Sequence, residues 1–121
     1  MAAPNLVNVA TITAKSVQAN LDTTLTTEIL ANASSSGKVF KVNAIIIANI
    51  DGTNAADASV AITKSGGSPI MIASTISVPA DATLVVIDKN SSIYLEEGDN
   101  IEAGAGAASD LTITISYEEL S

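Results

Sequence analysis

The sequence predicts an all-β protein, an antiparallel and jelly-roll-like β-sandwich of about eight or nine strands. Three observations lead there. Apolar and polar residues alternate with period two, as in Leu111-Thr112-Ile113-Thr114-Ile115-Ser116-Tyr117-Glu118, where one face is apolar and the other polar. Clusters of Gly, Ser, Asn, Asp and Pro interrupt these runs at short intervals. No stretch sustains an amphipathic helical period over three turns, and the apolar residues are mostly Ile, Val, Leu and Ala, with β-branched types that suit a pleated sheet.

In chain order, strands are expected at Val7–Val17 and Leu25–Ala33, with the second closed by Ser34-Ser35-Ser36-Gly37. The next, Val39–Asn49, carries Val42-Asn43-Ala44-Ile45-Ile46-Ile47-Ala48, apolar on consecutive positions. That reads as a central strand covered on both faces, since three consecutive β-branched residues disfavour a buried helix. Asp51-Gly52-Thr53-Asn54 ends it, and Asn54–Ala58 has room for one helical turn before a strand at Ser59–Thr63. Ser65-Gly66-Gly67-Ser68-Pro69 is a hairpin loop leading into Ile70–Val78, where Ile70 and Ile72, then Ile76 and Val78, alternate on either side of Ser74-Thr75. Leu84–Ile87, Ile93–Leu95 and Asn100–Ala103 follow, separated by Lys89-Asn90-Ser91-Ser92 and by Glu97-Gly98-Asp99. Ala103–Ser109 suits a loop or a closely packed strand edge, and Leu111–Glu118 is the last strand. The 121 residues read as one domain, with a short N-terminal arm at about residues 1–5 that Pro4 keeps extended.

Composition bounds the function. There is no His, Cys, Trp or Arg, so disulfides, Cys or His metal sites and His-based catalysis are excluded. Thirteen acidic residues against five lysines give a net charge of −8, which opposes binding to phosphate backbones, and no nucleic-acid partner is expected. No apolar run reaches the roughly 20 residues that span a bilayer, and Met1–Asn5 does not read as the start of a signal peptide. Neither a membrane nor a cofactor is expected. The absence of cysteine fits a cytoplasmic product.

The densest polar group is Glu96, Glu97, Asp99 and Glu102. Such carboxylates can hold calcium or form a glycosidase acid–base pair, but the spacing matches no calcium loop and Tyr94 is the one aromatic nearby. The expectation is a polar turn facing solvent. The segment beginning at Asp51 fails as a calcium loop because its twelfth residue is Ile62 rather than Glu. Lys64-Ser65-Gly66-Gly67-Ser68 lacks the glycine–lysine order of a phosphate loop. A serine–lysine dyad using Lys15, Lys41 or Lys64 has no support in spacing. No catalytic, cofactor-binding or metal-binding residues are therefore assigned, and the chain is not expected to be an enzyme.

One resemblance is more specific. Val78-Pro79-Ala80-Asp81 through Lys89, then Ser92-Ile93-Tyr94-Leu95-Glu96-Glu97-Gly98-Asp99-Asn100-Ile101, and the ending Leu111 to Glu119, resemble small β-sandwich virion structural proteins of tailed bacteriophages, especially cyanophage-like ones. In those proteins a Leu or Ile, then Glu-Gly-Asp, then a strand precedes a final alternating strand. The resemblance covers residues 78–119 and implies a virion component without catalytic positions. Within such a virion the first expectation is a capsid decoration or cement protein bound to the phage major capsid protein on the outer head shell, since an acidic, lysine-poor surface suits contact with solvent. A neck, head-completion or tail protein of the same virion is the alternative, since an acidic lumen would ease passage of DNA. A carbohydrate-binding or adhesion module comes third and is disfavoured by the two-tyrosine inventory. A core of small aliphatics is thin, and the apolar runs Ala44–Ile50 and Ala103–Ala108 exceed what one sandwich readily hides. Self-association, as a homotrimer, is therefore expected as well.

Overall fold

The computed structural model describes residues 8–23, 25 and 28–121. The expected arm and the start of the first expected strand lie outside these residues. The described strands are β1 (Ile12–Asn20), β2 (Glu28–Ala31), β3 (Val39–Asn49), β4 (Ala56–Thr63), β5 (Ile70–Val78), β6 (Thr83–Ile87), β7 (Ile93–Leu95), β8 (Asn100–Ala105) and β9 (Leu111–Leu120). A single 3-10 turn at Lys89–Ser91 separates β6 from β7, capped by the Asp88 side chain, which accepts from the Asn90 N–H.

These strands form two antiparallel sheets. One has the order β1-β9-β3-β6, with β7 also on β3; the other has the order β2-β8-β4-β5. The pairing is nested: β1 with β9, β2 with β8, β3 with β6 and β7, β4 with β5. A long hairpin rolled up on itself produces this nesting, which is jelly-roll topology. β6 and β7 are two halves of one strand position, since they pair with the two ends of β3.

The β9 alternation is realised as expected. Leu111, Ile113, Ile115 and Tyr117 face the space between the sheets and are buried, while the intervening residues face outward. From β3, Val42, Ile45 and Ile47 meet them, and from the second sheet Ala58, Val60, Ile101 and Ala103 complete the core. Each fully buried Ile or Leu contributes about 1.5–3 kcal/mol relative to an exposed one. Phe40 and Tyr117 pack with ring centroids 5.2 Å apart.

Four sequence expectations are corrected. Asn54–Ala58 makes no helical turn; β4 begins at Ala56, because Ala56 and Ala58 are core residues paired with Val78 and Ile76. Ala103–Ala105 continues β8, which is central in its sheet, so these small residues fill the core and are no surplus for a partner. β5 is not a half-buried strand. It lies at a sheet edge with Ile70, Met71, Ile72 and Ile76 exposed, and register shifts opposite Val60 break its alternation. Finally, β3 is central, but its outer face is covered only in part: Ile45 and Ile47 on the inner face are fully buried and Val39 at its start is buried, whereas Ile46 points outward and is 36% exposed.

Candidate functional site

Of the four carboxylates expected in a turn facing solvent, Asp99 is buried instead, and it shares a partner with Glu96 while the other two turn elsewhere. Asp99 is 2% exposed and accepts from Lys64 Nζ at 2.6 Å, from the Ser65 N–H at 3.1 Å and from the Glu96 N–H at 2.8 Å. Glu96 reaches the same ammonium at 2.7 Å. Glu97 turns away to accept from the Gly37 N–H, and Glu102 accepts from the Thr63 hydroxyl. Their negative charge is thus answered by a lysine and by loop N–H groups. No cluster of three potential metal ligands occurs among the described residues. The Lys64 ammonium is held above its ordinary pKa by its hydrogen bonds to Asp99 and Glu96.

Asp99 and Lys64 instead tie the β4–β5 loop to the β7–β8 loop. Asn32, 1% exposed, adds a third strap: its amide donates to the carbonyls of Lys38 and Leu95 and its oxygen accepts from the Ser36 hydroxyl. At the other end of β3, Asn49 donates to the carbonyls of Asn54 and Val78 and accepts from the Asp51 N–H. Asp51 then accepts from the Thr53 N–H, which holds its carboxyl below the ordinary value. Sequence reasoning missed both asparagines. The available signal was an Asn at a strand end just before a Ser- or Asp-Gly-containing turn, the context in which Asn bonds nearby backbone.

The surface with interaction potential is the outer face of the β1-β9-β3-β6 sheet. Register places its residues in rows: Ile12, Leu120 and Val39, of which the last two are already buried; then Ala14, Glu118, Lys41 and Tyr94; then Ser16, Ser116 and Ala44; then Gln18, Thr114, Ile46 and Val85. In the last two rows the β1–β9 half is polar and mostly hydroxylated, and the β3–β6 half is apolar. A shallow groove of about 560 Å³ runs across it, lined by Ala14, Lys41, Ala44, Ile46, Val85 and Glu118 among others. Val85 is 56% exposed. Lys41 and Lys89 flank the groove, as do Asp88 and Glu118. The other three lysines, Lys15, Lys38 and Lys64, are already in ion pairs with Glu119, Glu96 or Asp99.

Tyr117 lies in the core and Tyr94 on the surface, so the two tyrosines form no shared platform for a sugar ring. No helix among the described residues is long and apolar enough to cross a membrane. Among known proteins, no family model matches the chain and no curated protein matches it. The residues that carry the phage resemblance have clear structural work: Glu97-Gly98-Asp99 makes the β7–β8 turn, and Leu111 to Glu119 lies within β9 at the centre of the fold.

Proposed function

We propose that this chain is a non-enzymatic structural protein of a tailed-phage virion, a decoration protein that binds the major capsid protein on the outer head shell and works as a homotrimer. The observation that carries the reading is the set of large apolar side chains exposed on a framework pinned at both ends by buried polar straps. Isoleucines stand exposed both on the β5 edge and on the outer face of the other sheet. Surfaces of that kind mark protein–protein contacts, and two of them suit a subunit that meets both its own copies and a shell. A closed ring at a three-fold capsid site engages several identical subunits at once, so weak single contacts sum to firm attachment.

The acidic charge of −8 favours a second reading, a neck, head-completion or tail component beside the DNA path. Copy number in purified particles of the phage that encodes the chain separates the two. Decoration predicts hundreds of copies per particle, spread over the head. A count matching one small ring moves the assignment to the neck or tail. Absence from purified particles overturns both.

A further inference from the structure

We infer that the outer face of the β1-β9-β3-β6 sheet is where copies of this chain pack against one another, the β3–β6 half of one copy meeting the β1–β9 half of the next, as a three-fold ring requires. The inference rests on the reading that the protein self-associates, and adds the surface that does it. Four observations converge on a second copy as the occupant.

The first is the pattern of β3. A strand apolar at consecutive positions is the pattern of one buried on both faces. The fold buries Ile45 and Ile47 and leaves Ala44, Ile46 and Ala48 facing outward. Ile46 and Val85 stay exposed on that side, where a second copy can cover them.

Charge is the second. Two acidic chains repel at most relative orientations. The charged groups around this groove are Lys41, Lys89, Asp88 and Glu118, and they balance. Lys41 lies opposite Glu118 in register, yet the Glu118 carboxylate accepts from Asn43 and Lys41 makes no ion pair among the described residues. Lys41 and Lys89 are thus available to acids of a neighbour, and the same rim supplies such acids.

The third is shape. Ala14, Ser16, Ala44 and Ser116 are small, so another sheet can approach the backbone closely beside Ile46 and Val85. Area is the fourth. Three strands of nine to eleven residues, with the shorter β6 and β7 sharing a fourth position, about 4.8 Å apart, present roughly 600 Å² in flat projection. Side-chain relief raises this toward the ~800 Å² per partner of a standard stable interface.

The test is sedimentation velocity on the purified full-length chain at micromolar concentration, without phage particles. The wild type should sediment as a multiple of 12.2 kDa. Ile46→Glu and Val85→Glu each place a carboxylate in the contact, and each should weaken association about a hundredfold while circular dichroism stays that of the wild type. Ile70→Glu, on the β5 edge of the other sheet, should leave the assembly intact. Should Ile46→Glu fail to fold, the more exposed Val85→Glu decides. A wild type that remains monomeric overturns the inference, as does an assembly that survives both face variants. Binding to phage heads is scored separately. A monomer that still coats heads overturns this inference and leaves decoration standing. An assembly through this face that leaves heads bare does the reverse.

Discussion

Asn32 and Asn49 stand at opposite ends of β3, and each bonds backbone groups from two or three different segments. Truncating Asn32 to Ala strands the carbonyls of Lys38 and Leu95 in a buried setting. Asn32→Ala should therefore destabilise the fold by about 2–3 kcal/mol, read as a lowered midpoint in urea with unchanged slope. Gly98 is constrained differently. It has φ +86°, and a Cβ there would lie 2.7 Å from both Cβ and Oγ of Ser65. Gly98→Ala combines an unfavourable backbone conformation with a clash in the strapped loops, and should cost about 2 kcal/mol or more in the same assay. The carboxylates on either side of this glycine are engaged by Lys64 and by loop N–H groups. Calorimetric titration with calcium should accordingly show no site tighter than about 10⁻⁵ M, the weak end of dedicated sensor loops.

At the scale of elements, the end of β9 depends on protonation. Glu119 sits between Lys15 at 2.9 Å and Lys38 at 2.6 Å, from β1 and from the segment entering β3. Hydrogen bonds from Lys38 and then Lys15 hold its carboxyl below the ordinary value of 4.5. A carboxyl whose folded pKa is depressed contributes stability above its unfolded pKa and loses it as pH falls through the folded value. Stability should thus decline below about pH 4.5 in part through this group. Glu119→Gln should flatten that limb of the pH–stability profile and lower stability at neutral pH. Both lysines are partly exposed, so salt should weaken the effect. β5 illustrates the opposite problem, an uncharged edge strand. Its register shifts, and Thr75 at φ +47°, twist its middle away from regular pairing, a known defence of edges against strand addition.

On the scale of the whole molecule, the first strand pairs with the last, and the pairings β2–β8, β3 with β6 and β7, and β4–β5 are nested inside. β1 cannot complete its ladder until β9 is in place, nearly a hundred residues later. Loop closure precedes the reward of contact in such a topology. Refolding after dilution from denaturant should therefore be slow for a chain of this size, in the range of about milliseconds to seconds. A microsecond phase carrying the full amplitude would contradict the nested pairing.

The sequence by itself determined the class of fold and several strands to the residue. Val39–Asn49, Ile70–Val78 and Ile93–Leu95 were legible because turn residues bound them on both sides and β-branched residues fill them. β9 was legible as a half-buried strand because period-two alternation reports two unlike environments directly. Tertiary structure decided what pattern cannot express. β1 runs to Asn20 because β9 offers partners as far as Thr112, and β8 runs to Ala105 because β4 pairs with it up to Ala58. Whether an apolar residue is covered also depends on which strands become neighbours. Ala103 proved to be core, Ile70 proved to stand at an open edge, and Ile46 proved to face outward. The fates of Glu96, Glu97, Asp99 and Glu102 turned on Lys64, Gly37 and Thr63, residues remote in sequence that the rolled topology brings alongside them. Local propensity acts over a few residues, whereas burial and charge pairing are set by contacts across the sheets.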